Sequence, residues 1–136
     1  MPRFGNRSRI NLSQAKAELQ DVMNAAIKRT DFSVIEGHRG KKKQNQYYDE
    51  GKSTVRFPDS KHNLMPSWAV DVVPWDQEKR KALHGNNPYE LMQIGRMVQI
   101  IMEEAERLGV DIECGANWRN FPDGAHVQLR TEREIA

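Results

Sequence analysis

Two histidines and two aspartates, far apart in the chain, have the residue types of a hydrolytic metal site. His62 and Asp71 lie near the middle of the chain, and Asp123 and His126 lie near its end. A catalytic zinc takes three protein ligands and leaves a fourth position for water. His62, Asp71 and His126 are the candidate ligands, and Asp123 is the candidate base that takes a proton from that water. The sequence therefore predicts hydrolysis by a metal-bound water.

Two of the candidate ligands interrupt segments that otherwise have the composition of buried strands. Asp71 lies within WAVDVV (68–73), and His126 lies within AHVQL (125–129). A buried carboxylate or imidazole costs several kcal/mol unless it is paired or bound to a metal. His62 alone, in a loop, is typical of a surface residue. The combination of the three indicates a metal site.

The clearest element that could support such a site is a long helix. Asn87 is its predicted N-cap, Pro88 takes the first helical position, and Gly109 ends it. Apolar residues recur between them at helical spacing and form a wide stripe, which we expect in the core: Leu91, Ile94, Met97, Val98, Ile101, Met102, Ala105 and Leu108.

Shorter helices are predicted over residues 13–29, 41–50 and 76–83, the first with Ser13 as N-cap. Predicted strands cover 32–37, 68–73, 110–115 and 125–129, and Pro74 is expected to close the second of them. The result is an α+β domain with a small antiparallel sheet backed by helices. Asp71 and His126 share one cleft if their two strands are neighbours.

Length and composition set broad limits. The 136 residues suit one domain, 1–136. The sequence contains no run of 18 apolar residues, so stable membrane insertion is not expected. The first residues are basic but lack the apolar run of a secretory signal, so synthesis in the cytoplasm is expected. The net charge of +2 divides into +6 over residues 1–68 and −4 over 69–136. The single cysteine, Cys114, excludes an internal disulfide and reads as a buried strand residue.

Two motifs carry a family resemblance. Ser60, His62 and Asp71 match a Ser-x-His motif followed by a loop and a hydrophobic strand with Asp. Asp123 and His126 match an acidic residue, two spacers and His. The chain thereby resembles the zinc peptidases that cut bacterial peptidoglycan, a group with D-alanyl-D-alanine carboxypeptidases and dipeptidases, and in particular the phage L-alanyl-D-glutamate endopeptidases that serve as endolysins.

The resemblance extends over nearly the whole chain. Upstream, VIEGHRGKKKQNQ supplies Gly37, Arg39 and Gln44 of a strand, Gly-x-Arg and helix pattern, and GANW (115–118) precedes the second motif. Eight residues separate His62 from Asp71, whereas many members have six, and the extra length falls in a loop where insertion costs little. Two other positions differ from part of the family: Asp123 stands where other branches often have Glu, and Gln128 stands where some relatives have Glu, so Gln128 receives no catalytic role.

The resemblance implies a mechanism. One zinc ion per chain would be held by His62, Asp71 and His126, and Asp123 would act as general base and then general acid. Arg39 would stabilise the oxyanion or anchor a substrate carboxylate. Three further residues are candidates for substrate binding, although Ser60 also suits a turn: Ser60, Gln44 and Trp118.

The expected function is hydrolysis of the L-Ala–D-Glu bond of peptidoglycan by a monomeric, phage-type endolysin. Without a signal peptide, it would pass from the host cytoplasm to the periplasm and cell wall only after a separate protein permeabilised the membrane. A D-alanyl-D-alanine carboxypeptidase of the same fold is the first alternative. A small basic nucleic-acid-binding module, using the segment 38–48, is the second, but the acidic second half of the chain argues against nucleic acid.

Overall fold

The computed structural model describes residues 2–115 and 125–131, which form an antiparallel sheet and four helices. The helices are α1 (Asn6–Ser13), α2 (Ala17–Ala26), α3 (Lys41–Asp49) and α4 (Pro88–Leu108), with a 3-10 turn at Lys61–Asn63. The strands are β1 (Phe32–Glu36), β2 (Ala69–Asp76), β3 (Lys81–Ala82), β4 (Ile112–Gly115) and β5 (Ala125–Leu129). Their order is β1-β2-β5-β4, with β3 paired to β2. The predicted α+β architecture is confirmed.

The core lies between one face of the sheet and the helices α2 and α4. On β2, Val70 and Val72 are completely buried on this face, and α4 packs against α2, β2 and β4. Because side chains alternate along a strand, the opposite face receives the residues between them. The largest buried side chains of the apolar cluster come from helices and strands alike: Phe32, Leu19, Met23, Met97, Ile101, Val22, Val34, Val70 and Val72.

Helix α4 begins and ends where the sequence predicts. The Asn87 side chain accepts a hydrogen bond from the Glu90 amide at 2.9 Å, and Gly109 ends the helix in the left-handed conformation (φ 71°). A left-handed residue at this position favours glycine, which has no Cβ to clash. No helix among the described residues is long and apolar enough to cross a membrane.

The apolar stripe of α4 is only partly core. Ile94, Met97, Ile101 and Ala105 are buried as expected, together with Ile100. The stripe is wider than the surface that α2 and the sheet cover, so its edges stay exposed. The expectation of burial is wrong for three residues there: Leu91, Met102 and Leu108.

The helix predicted over residues 13–29 is the shorter helix α2, and α1, which the sequence did not predict, precedes it. Ser13 ends α1 and donates to the Ile10 carbonyl, so it is not the N-cap of a longer helix. The backbone between the helices bonds instead to Ser67, two residues before β2: the Ser67 amide donates to the Gln14 carbonyl, and the Lys16 amide donates to the Ser67 carbonyl. These non-local hydrogen bonds replace the helical ones.

The helix predicted over residues 76–83 is a β-hairpin. Strand β2 does not close at Pro74 but continues to Asp76, and β3 folds back onto it. Pro74 is tolerated because its carbonyl, not its missing N–H, forms the bond to the Leu83 amide at 2.9 Å. The Asp76 carboxylate accepts from the Lys79 amide and stabilises the turn.

Candidate metal centre

One row of residues crosses the sheet on the face opposite the core. Glu36 of β1 lies opposite Asp71 of β2, Asp71 lies opposite His126 of β5, and His126 lies opposite Gly115 of β4. A Cβ at Gly115 would meet the Cβ of His126 at 3.1 Å, so the end of the row leaves room for the imidazole. The predicted juxtaposition of Asp71 and His126 is confirmed, because their strands are neighbours in register.

A register shift on β1 brings a second carboxylate to this row. Val34 pairs with Val72, but the next pair is Glu36 with Asp71, so two residues of β1 face one residue of β2. Strict alternation would have directed Glu36 to the core face with Val34. The extra residue, Ile35, is exposed, and Glu36 is buried beside Asp71.

His62 approaches the row from outside the sheet, on the 3-10 turn Lys61–Asn63. Ser60 caps this turn: its hydroxyl accepts from the His62 amide at 3.2 Å, and the Asn63 side chain accepts from the Ser60 amide at 3.0 Å. The cap explains the Ser-x-His spacing, because it fixes the direction of the following backbone. The imidazole of His62 is 1% exposed, so the loop histidine is a buried site residue.

The three candidate ligands meet at one point. His62 Nε2 lies 3.1 Å from Asp71 Oδ1, His126 Nδ1 lies 3.0 Å from the same oxygen, and the two nitrogens lie 3.2 Å apart. Ligand atoms about 2.0–2.1 Å from a tetrahedral zinc lie roughly 3.3 Å from one another. The triangle of donor atoms therefore has the dimensions that zinc requires.

Each imidazole is oriented by a hydrogen bond on its other nitrogen. His62 Nδ1 lies 2.7 Å from the Gly37 carbonyl, which can only accept, so Nδ1 carries the proton and Nε2 presents its lone pair. His126 Nε2 lies 2.8 Å from Gln128 Oε1, and its Nδ1 turns toward Asp71. Carbonyl oxygens behind the ligands are typical of histidines that bind metals.

The electrostatics of the triangle favour a cation. Burial disfavours the charged carboxylate of Asp71, but His62 and His126 outweigh that cost and hold its pKa below the ordinary value. Burial lowers the pKa of His126, but the hydrogen bond and charge of Asp71 outweigh it and raise that pKa overall. Three atoms that all present lone pairs repel one another unless a positive charge lies between them. A proton or a metal ion supplies that charge. The donor set fits a divalent cation.

Arg39 lies directly behind Asp71. Its Nη2 donates to Asp71 Oδ2 at 3.3 Å, its Nη1 to Gln44 Oε1 at 2.9 Å, and its Nε to the Glu36 carboxylate. The guanidinium also lies over the ring of Tyr47, 4.6 Å from its centroid. Arg39 is buried among these groups and forms its hydrogen bond with the oxygen of Asp71 that is turned away from the two histidines.

Gln44 supports the site from beneath its surface. The side chain is completely buried; its oxygen accepts from Arg39 and Asn63, and its nitrogen donates to Ser53 and Val55 at 2.8 Å each. With all its surface covered, Gln44 has no atom to offer a substrate. We therefore place it in the support of Arg39 and of the loop, and not, as the sequence suggested, in contact with substrate.

A cavity of about 230 Å³ opens beside the donor triangle. His62, His126, Arg39 and Ser60 line it, together with a loop that contains Lys52. Sequence reasoning missed this loop because it has no motif of its own. Glu36 was also missed, since the register shift that directs it to the site has no sequence signal.

Two predicted site residues, Asp123 and Trp118, lie outside the described residues. Cys114, on β4, is half-buried against the core. Its burial, and to a smaller extent the negative charge of Glu113, raise the pKa of its thiol to about 11. A thiol that stays protonated at neutral pH is not an activated nucleophile. The reading of Cys114 as a structural strand residue agrees with this placement.

The model of one protein family, described as phage L-alanyl-D-glutamate peptidase, matches residues 1–132. The chain belongs to this family. The crystal structure of the Serratia marcescens L-Ala D-Glu endopeptidase ChiX is also similar, with a TM-score of 0.75 and 25% sequence identity over 99% of this chain and 96% of that one. A comparison with curated proteins gives no match. The resemblance inferred from the two motifs is confirmed, and the protein is a peptidase.

Proposed function

We propose that this peptidase hydrolyses the L-alanyl–D-glutamate bond of peptidoglycan stem peptides with one zinc ion held by His62, Asp71 and His126. The observation that carries the metal assignment is the triangle of donor atoms, 3.0–3.2 Å apart, on the polar face of the sheet. These are the ligand types of catalytic zinc, which needs three protein donors and an open fourth position. The cavity beside the triangle supplies access to that position.

Bound at this point, zinc would act as a Lewis acid that polarises the scissile carbonyl. The chain's own residues do the rest. His62 and His126 keep their lone pairs turned inward because Gly37 and Gln128 hold their other nitrogens. Asp123 takes the proton of the attacking water and returns it to the leaving amine, as the family resemblance implies.

Arg39 has two roles in this proposal: it orients Asp71, and it binds the substrate. Its contact with Asp71 Oδ2 keeps Oδ1 aligned with the histidines. A guanidinium has five N–H donors, and the hydrogen bonds within the described part of the chain use three of them. The other donors suit the oxyanion or a substrate carboxylate, since Arg39 also lines the cavity.

The cavity suits a short stretch of peptide. At about 230 Å³, its described part is smaller than the roughly 300–1,000 Å³ of pockets that enclose a whole ligand. It would hold the residues on either side of one bond and leave the remaining polymer outside. Ser60, which lines the cavity, and Trp118 are the proposed substrate contacts. One chain, as a monomer, carries the complete ligand set.

Metal removal tests the proposed function. We expect the purified protein to carry one zinc per chain and to release peptides with new N-terminal D-Glu from peptidoglycan. A chelator should abolish the cleavage, and added zinc should restore it, because two paired strands and a capped turn position the three ligands. Metal analysis and mass spectrometry of the digest are the measurements. Release of D-alanine would indicate the carboxypeptidase alternative, and full cleavage by metal-free protein would contradict the zinc assignment.

The proposed biological role is that of a phage endolysin made in the host cytoplasm, with the wall reached after a separate protein has permeabilised the membrane. Expression in a bacterium with a susceptible wall should leave the culture intact, whereas co-expression with a protein that forms membrane lesions should cause lysis. Culture turbidity is the measurement, and His126→Ala is the inactive control. Lysis by the protein alone would contradict the need for a partner.

A further inference from the structure

We propose that Gln128 and Glu113 are positioning residues that fix the tautomer of His126, so that its Nδ1 lone pair enters the donor triangle. This inference rests on the proposed zinc site. It adds a hydrogen-bond relay that runs from Glu113 on β4 through Gln128 to His126 on β5. The two residues lie directly opposite each other on β5 and β4, one row away from His126 and Gly115. They were not part of the candidate site in the sequence.

The relay begins at Glu113. An ionised carboxylate only accepts hydrogen bonds, so the group of Gln128 that faces it must be the NH₂ group. That is the arrangement observed: Gln128 Nε2 donates to Glu113 Oε1. The carboxylate thereby sets which end of the Gln128 amide faces His126.

The relay ends at the imidazole. With its nitrogen held by Glu113, Gln128 presents Oε1 to His126 Nε2 at 2.8 Å. An amide oxygen only accepts, so Nε2 of the neutral imidazole must carry the proton. Nδ1 is then left unprotonated, at 3.0 Å from Asp71 Oδ1 and 3.2 Å from His62 Nε2. A metal ligand needs that lone pair, and second partners of this kind are known to tune metal sites.

The tautomers of the two histidines are fixed by different kinds of hydrogen-bond partner. His62 uses the backbone carbonyl of Gly37, which no substitution removes. His126 depends on side chains, so its tautomer can be reversed by mutation. Glu113→Lys places a donor where the acceptor was, which favours the flipped amide of Gln128 and presents NH₂ to His126. The imidazole would then keep its proton on Nδ1, inside the triangle.

The zinc dissociation constant, measured by competition with a chromophoric chelator, tests the relay. We expect Gln128→Leu to weaken zinc binding about 10–100-fold, the usual effect of losing such a partner. Glu113→Lys should weaken it at least as much, whereas Glu113→Gln, which can still accept from Gln128, should keep most of the affinity. Gln99→Leu is the matched control, because it removes a Gln–Glu hydrogen bond on the exposed surface of α4.

A second readout separates positioning from stability. In the zinc-loaded protein, NMR should detect the His126 Nε2 proton protected from exchange in the wild type and exposed in Gln128→Leu. Thermal unfolding checks that each variant folds. Equal zinc affinity in Gln128→Leu, Glu113→Lys and wild type would overturn the relay and leave the zinc site standing. A wild-type chain that binds no zinc would instead overturn the proposed function.

Discussion

Asp71→Asn should abolish zinc binding and lower the rate of peptidoglycan cleavage by roughly 10³-fold or more, because Lewis-acid stabilisation by the metal is worth several kcal/mol and each 1.4 kcal/mol is tenfold. The substitution changes few atoms. The amide oxygen can still accept from Arg39, which donates to Asp71 Oδ2 in the wild type. The amide NH₂ can donate to the two imidazole nitrogens that Oδ1 now faces.

This design separates loss of metal from loss of fold. Asn at this position satisfies its buried neighbours without a cation, so the thermal unfolding midpoint should not fall below that of metal-free wild type. Metal analysis, the cleavage assay and unfolding are measured on the same preparation. Asp76→Asn, on the same strand but outside the donor triangle, is the matched control. An Asp71→Asn protein with one zinc and wild-type turnover would contradict the ligand assignment.

Asp123→Ala and Asp123→Asn should have the opposite profile: zinc is retained and turnover is lost. A general base contributes about 10²–10⁴-fold to a rate, so kcat should fall by that factor. Asp123 lies outside the described residues, and its role rests on the motif that places it three residues before His126. Zinc content and steady-state kinetics on a defined stem peptide are the measurements.

The Asp123 variants need a control in which an aspartate outside the site is substituted in the same way. Asp59 is exposed on the loop before the 3-10 turn, and Asp59→Asn should keep both zinc and activity. Full activity of Asp123→Ala would refute the base assignment. Loss of zinc from Asp123→Ala would instead make Asp123 a ligand.

Together the two sets of variants divide the site by chemistry. A ligand variant loses metal and rate, a base variant loses rate alone, and the Gln128 variants lose metal affinity in proportion to their effect on the His126 tautomer. These three profiles differ in zinc content and kcat. A general loss of stability would produce none of them, since it would lower the unfolding midpoint first.

The sequence by itself indicated the candidate metal chemistry and determined the most local structure. Asp71 and His126 were identifiable because a carboxylate and an imidazole are costly in apolar segments without a partner, and His62 was identifiable through the Ser-x-His motif. The ends of α4 were also predictable, because Asn87, Pro88 and Gly109 act through their own backbone preferences and their nearest neighbours. The family motifs needed no structure to be read.

Local helix signals failed where the backbone formed hydrogen bonds with another strand or loop. The helix predicted over 13–29 begins only at Ala17, because the backbone before it bonds to Ser67, and the helix predicted over 76–83 is a hairpin because β3 pairs with β2. Helix propensity is a weak preference, and tertiary hydrogen bonds override it. Ser67 is distant in sequence from residues 13–29, so a local pattern could not reveal that change, whereas β2 and β3 are close in sequence and pair as strands.

Only the tertiary structure decided how the candidate ligands meet. The order β1-β2-β5-β4 puts Asp71 opposite His126, and the register shift on β1 turns Glu36 toward Arg39 and the site. Register depends on pairing between strands distant in sequence, and a shift of one residue moves a side chain to the other face. The residue types for a metal centre are therefore in the sequence, but the meeting of Asp71 and His126 depends on which strands pair.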